Sequence, residues 1–279
     1  MGALLALTSA VVHGIVDFAG GLLSRRAHFT TVTVIGQVGG LVLASLAALL
    51  IPAEAVRPGD LLWGALSGIG SGAAMHFLNR GLSHGAMSVV VPVSAVTSVA
   101  LSVLCGVALG DRPGSLAWTG IALTVPALWL VAGGRAGEGG GGRAGEGGGT
   151  RDGLLAGLGV AAQYLALAPA DPAAGLWPLA AGRAAAVLVL LPTAARHARR
   201  TTAALSAGAV AVGAGAALGL TLFQLASQQQ MLAVAVVLAS LYPALPVILG
   251  LVLLHERVTR GQTLGLLGAA VATVLLTLG

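Results

Sequence analysis

Arg183 stands in Ala181-Gly182-Arg183-Ala184, near the middle of an apolar run from 175 to 193. Asp17 stands in another, from 3 to 23, four residues after His13 and therefore on the same helix face. A charge in lipid costs about 2.5–3.5 kcal/mol on insertion scales unless it is paired or wetted, so both are candidates for function. The planar fork of Arg183 suits a carboxylate-bearing substrate, or it is a structural counter-ion to Asp17. Asp17 and His13 suit a proton-coupling pair, because a desolvated carboxylate titrates nearer neutral pH. The alternative leaves Asp17 in interfacial water and His13 hydrogen-bonded to backbone. Uncharged polar residues extend the candidate substrate site. His76 and Asn79 share a face of the run 61–79, and Gln224 takes the place of Asn79 in the second half of the chain. Gln163 and Tyr164, Gln37, and Ser240 and Tyr242 before Pro243 complete the set. The alternative for these is interhelical hydrogen bonding, worth about 0.6 kcal/mol on average.

These residues need elements that cross a membrane. The chain of 279 residues is 57% hydrophobic and 8% charged, with mean hydropathy +0.95. A soluble domain carries about 25% charged residues, so this chain lacks the polar surface to face water. Apolar runs fall at about 3–23, 31–51, 61–79, 86–109 and 115–132, then at 153–168, 175–193, 205–225, 231–254 and 261–278. Each is expected to be a helix, since lipid leaves backbone amides no other partner. Residues 133–152 carry the near-repeat RAGEGGGG, RAGEGGG and read as a Gly-rich linker. Gly64, Gly68 and Gly72, and Gly215 and Gly219, sit at four-residue spacing, which lets helices approach closely.

The two sides of the linker resemble each other. A shift of 145 residues lays Gly68 on Gly213, Gly70 on Gly215, Asp111 on Glu256, Arg112 on Arg257 and Gly120 on Gly265. Five spans per half is an odd number, so the second half enters the membrane the opposite way. The expected fold is an all-α membrane protein of ten transmembrane helices, arranged as two inverted five-helix repeats. The first repeat spans 1–132 and the second 153–279.

The runs Ser240-Leu241-Tyr242-Pro243 and Leu254-His255-Glu256-Arg257, followed by Gly265, have weaker counterparts in Val91-Pro92-Val93-Ser94 and Leu109-Gly110-Asp111-Arg112. Over essentially its whole length the chain resembles the EamA-type members of the drug/metabolite transporter superfamily. It departs from the family pattern in having His13-Gly14 where an aromatic-Gly pair is usual, and Asp111 where Glu is commoner. The resemblance implies secondary transport, often efflux, of metabolites, amino acids or drugs. It also implies a structural or dimer-contact role for spans five and ten, so that a homodimer is one assembly open to the protein.

Placement in a cell membrane as a multi-pass protein follows, with a small-molecule substrate and the lipid bilayer as partners. All 14 basic residues other than His are Arg. Loops after spans one, three, five, seven and nine hold Arg25, Arg26, Arg80, Arg135, Arg143, Arg151, Arg196, Arg199, Arg200, Arg257 and Arg260; the other loops hold Arg57 and Arg112. The positive-inside rule puts the linker inside and both termini outside. Basic residues in short loops read as topology, so no nucleic acid is expected. A single cysteine, Cys105, rules out an intrachain disulfide. His255-Glu256 starts like a zinc-protease motif, but Thr259 replaces the second His. No Walker loop is present, so ATP is not expected, and since local spacing suggests no Ser/His/Asp set, neither a cofactor, a metal nor enzyme activity is expected. The other class weighed is a non-transporting membrane scaffold or partner-dependent flippase subunit.

Overall fold

Apolar runs of this length can pair their backbone in lipid only as helices or closed barrels, and the described residues form helices alone. The computed structural model describes residues 2–108, 112, 114–133, 146–196, 201–229, 242–256 and 258–278, and their side chains except at 132, 133, 146, 147, 194–196, 224 and 227–229. Ten α-helices lie among them: α1 Gly2–Arg26, α2 Phe29–Leu50, α3 Pro58–His84, α4 Met87–Ala108, α5 Ser115–Gly133, α6 Glu146–Leu167, α7 Trp177–Arg196, α8 Ala203–Gln229, α9 Ala244–Leu253 and α10 Arg260–Leu278. Six are long and apolar enough to cross a membrane: α1, α2, α3, α4, α8 and α10. The apolar stretches of α5, α7 and α9 are shorter. Most of the span expected at 231–254 lies outside the described residues, which resume at Tyr242.

Helix starts are set by local chemistry. Pro58 opens α3, and the Asp60 carboxylate accepts from the Arg57 backbone N–H at 3.0 Å. At α10, Thr259 and Gln262 form a reciprocal box: Gln262 N–H donates to Thr259 Oγ1 at 3.2 Å, and Thr259 N–H to Gln262 Oε1 at 3.0 Å. One boundary differs from expectation. Residues 146–152, read as linker, are the first two turns of α6. Their glycines weaken the helical signal. Tertiary contact overrides it, because Gly149 meets Val90, Gly153 lies against the Val90 carbonyl, and Gly157 against Ser94 and Thr97 of α4. Asp152 also accepts from Arg80 Nε at 3.0 and 3.1 Å, tying the start of α6 to the end of α3.

Small residues set the helix spacing elsewhere too. Gly64 and Gly68 of α3 face the backbones of Pro178 and Gly182 of α7, and Gly72 faces Ala186. Gly36 and Gly39 of α2 meet Gly213 and Val210 of α8 in the same way. A Cβ on Gly68 would overlap the Gly182 carbonyl. Gly68→Ala is therefore expected to destabilise the protein by about 1–3 kcal/mol, as overpacking does. Gly59→Ala, with no heavy atom in reach of the added methyl, should be neutral. Thermal unfolding in detergent checks both, and equal melting of the two variants would contradict the close contact.

Among the described residues, pairing between the two halves follows a rule, α4·α10 apart. The packed pairs α1·α8 and α3·α6, α2·α8 and α3·α7, α4·α6 and α1·α9 exchange when each helix is replaced by the one five places along; α5·α10 and α2·α7 map onto themselves. The ends of the bundle are tied separately. At the end where α5 stops and α6 starts, here the linker end, Arg25 donates to the Leu82 and Gly85 carbonyls and pairs with Glu256 at 3.4 Å. At the other end, the terminal end, Asp60 accepts from the Asp171 N–H at 3.0 Å and Arg57 pairs with Asp171 at 3.4 Å.

Candidate functional site

Helices held close by glycine leave little space between them, so a large opening inside the bundle needs side chains placed to keep it. One cavity of about 420 Å³ lies at its centre. Ser9, His13, Val16 and Asp17 of α1 line it at helical spacing, opposite Ser71, Ala74, Met75 and Leu78 of α3. Gln163 and Tyr164 of α6, Arg183 of α7, Phe223 of α8 and Tyr242 before α9 complete the polar and aromatic wall. Ser94, Ser98 and Ser102 of α4 and Thr273 and Thr277 of α10 add hydroxyls. Much of the rest is aliphatic. Binding cavities for small molecules run from about 300 to 1,000 Å³, so this one has the size for a metabolite.

Arg183 is 7% exposed and belongs to α7 one residue beyond Gly182, where α3 and α7 touch backbone to backbone. Its Nη1 donates to Gln37 Oε1 at 2.9 Å, and its stem lies over Gly40 of α2. Its Nε has no hydrogen-bond partner among the described residues. No ion pair joins Arg183 to Asp17 among them, which corrects the counter-ion reading. The two charges sit on different walls of one cavity. Asp17 makes neither an ion pair nor a hydrogen bond among the described residues, and Tyr242 lines the same cavity. Tyr164 lines it as well.

His13 has a defined bonding state. Its Nδ1 is 3.0 Å from the Ser9 carbonyl, which can only accept, so Nδ1 carries a proton. Ser9 Oγ donates across to the Gly219 carbonyl of α8 at 2.7 Å, and the imidazole packs on Gly219 where a side chain would collide. The neighbouring Gly14 meets the Tyr242 carbonyl and Leu245, so α1 touches both α8 and α9 at this level.

Of the residues singled out from sequence, Arg183, Asp17, His13, Gln163, Tyr164 and Tyr242 line the one cavity. His76 and Asn79 do not. Asn79 Nδ2 donates to Thr33 Oγ1 at 2.9 Å in a cleft of about 20 Å³ beside Arg183, and His76 packs edge-on between Phe29 and Phe77. Both are correctly placed on one helix face, but that face meets α2 and not the cavity. The side chain of Gln224, and Ser240, lie outside the described residues. Sequence reasoning passed over Ser9 and the hydroxyls of α4 and α10. The four-residue spacing of Ser94, Ser98 and Ser102 was the available signal, weakened because Ser in an apolar helix commonly bonds its own backbone.

The cavity is closed toward the linker end. Leu78, Leu82, Met87, Val90, Val91 and Ala156 form a buried cluster there, with Phe18 and Leu254 against it. Beyond it, both Glu256 oxygens accept from the first turn of α4, from Met87 N–H at 2.9 Å and Ser88 N–H at 3.0 Å. Glu256 thus caps α4, a helix far from it in sequence. The lining runs along α4 from Val91 to Ser102 and on α10 falls at Thr273 and Thr277, so the cavity extends toward the terminal end.

This geometry can be set beside known proteins. The family model of the EamA-like transporter family matches residues 1–133. The matched stretch is just under half of the chain. It covers α1 to α5 and includes Asp17, His13 and the hydroxyls of α4. Thirteen chains of solved structures match as well. Among them is a crystal structure described only as that of a protein, 14% identical, with a TM-score of 0.62 over 99% of this chain and 96% of the other. At that identity the likeness concerns the fold. No curated protein matches. Six helices long and apolar enough to cross a membrane, together with this match, make the chain a multi-pass membrane protein.

Proposed function

We propose that the protein is a secondary, ATP-independent exporter of small carboxylate-bearing metabolites, such as amino acids or organic acids. It works by alternating access around the central cavity. The observation that carries this reading is Arg183, a buried guanidinium lining a metabolite-sized cavity with no ion pair among the described residues. A buried cation with one hydrogen bond is poorly compensated, and a carboxylate supplies what it lacks.

Two inverted repeats are the proposed machinery. The interchange of helix pairs on moving five places along the chain supports this, since repeats related by a two-fold axis must reuse each other's contacts. Rocking one four-helix bundle against the other would open the linker end and close the terminal end. With Arg-rich loops on the cytoplasmic side, the linker end faces the cytosol, so the conformation described here has its cytosolic end shut.

Asp17 is the proposed coupling group, with His13 beside it on α1. Asp17 lines a cavity that alternating access would open to each side in turn, so its protonation can be linked to the conformational cycle. Asp17→Asn is expected to leave substrate exchange intact while abolishing the response of flux to an imposed proton gradient. Proteoliposomes with set internal and external pH read this directly. An unchanged pH response would remove Asp17 from coupling. The transport reading itself is tested by flux of labelled carboxylates through wild type and Arg183→Ala.

A further inference from the structure

Four hydroxyls on the cavity wall already have a direction imposed on their protons. Ser98 Oγ donates to the Ala95 carbonyl at 2.8 Å and Ser102 Oγ to the Ser98 carbonyl at 2.9 Å. Thr273 Oγ1 donates to Ala269 and Thr277 Oγ1 to Val274, both at 2.9 Å. A hydroxyl has one proton and two lone pairs, so while these bonds hold each of them offers the cavity acceptor capacity. Helices α4 and α10 run in the same direction, and Val96 packs with Ala269 and Ala272. The next turns therefore bring Ser98 and Ser102 level with Thr273 and Thr277, all lining the cavity that Arg183 also lines.

A hydroxyl stripe is common in apolar helices and means little alone. The second observation is Arg183, a nine-tenths-buried cation in the wall of the same cavity, with one hydrogen bond, to Gln37, and no ion pair among the described residues. One wall thus presents donors and a positive charge, and the other a row of acceptors.

We propose that Ser98, Ser102, Thr273 and Thr277 form a specificity wall that reads the ammonium group of a zwitterionic substrate whose carboxylate is held by Arg183. This rests on the carboxylate-transport reading above and narrows it to compounds carrying both charges. An ammonium has three donors and no acceptor, which is the complement of hydroxyls whose protons are already engaged. A polyol would bring lone pairs of its own that these hydroxyls cannot satisfy while those bonds hold. A plain carboxylic acid would leave the wall unpaired and dry, at the cost that buried acceptors carry.

The test is competition binding on purified full-length protein with matched pairs that differ only in the amine: leucine against isocaproate, phenylalanine against hydrocinnamate, glycine against acetate. Wild type should prefer the amino acid of at least one pair by about tenfold or more. Ser98→Ala combined with Thr273→Val should reduce that preference to near unity with little change in the affinity for the des-amino acid. Thr273→Ser, which keeps the hydroxyl, should retain it. A preference that survives in the double variant overturns the proposal and hands amine recognition to Asp17, which that variant keeps. Equal binding of both members by wild type, lost in Arg183→Ala, overturns the wall and leaves the carboxylate reading standing. Binding of neither member of any pair by folded protein overturns both.

Discussion

Arg183→Ala should lower flux of the transported carboxylate by about a hundredfold or more while the extracted protein stays folded and monodisperse. Truncating one side of a buried charge-assisted pair typically costs about 2–5 kcal/mol, and each 1.4 kcal/mol is tenfold. The direction of the stability change separates a binding role from a structural one. Arg183 has one bond, to Gln37, and no ion pair among the described residues. Removing a poorly compensated cation should therefore leave the melting temperature unchanged or raised. Arg183→Lys should fall between the two, since an ammonium keeps the charge and loses the fork. Gln37→Ala should weaken binding less than either, because Gln37 orients Nη1 and carries no charge. Flux at the wild-type level in Arg183→Ala would take the residue out of the site.

Glu256→Ala should destabilise the protein by about 3 kcal/mol and open its linker end. Glu256 has a side chain 8% exposed, accepts from two backbone N–H groups of α4 and faces Arg25, which is 30% exposed. Losing one partner of a buried pair costs about 3–5 kcal/mol, and the partial exposure of Arg25 places this case at the lower end. The carboxylate joins the loop before α10 to the start of α4, while Arg25 brings in the end of α1 and the Leu82 and Gly85 carbonyls. Without it, three elements part at the point where the cavity is shut. Cys105 is the single cysteine, so in a Cys105→Ala background a cysteine at Leu78 reports on the plug. Its labelling by an impermeant thiol reagent from the linker side should rise in Glu256→Ala. Glu256→Gln, which keeps one acceptor for α4, should show a smaller rise.

Much of the site was legible because charge in an apolar run is costly wherever it occurs. Arg183 and Asp17 stood out on that ground, and the aromatic and amide residues near them in register share their cavity. What failed was orientation about the helix axis. His76 and Asn79 lie on the same helix as Ser71, Ala74 and Leu78, yet on the side that meets α2, and spacing alone does not say which neighbour a face will meet. The first turns of α6 were hidden by their glycines, which look like a linker until α4 is placed against them. The helix that Glu256 caps begins 169 residues earlier, a partnership no local pattern encodes. The hydroxyl wall left the faintest trace, since Ser and Thr are tolerated in any apolar helix that lets them bond their own carbonyls.

The most direct measurement is uptake or efflux of labelled amino acids and organic acids by proteoliposomes containing the purified protein, without ATP, beside Arg183→Ala. The account predicts saturable flux of a carboxylate-bearing compound down its own gradient or a proton gradient, absent in the variant. Flux that the variant retains in full, or no flux of any such compound by protein shown to be folded in the bilayer, would contradict it.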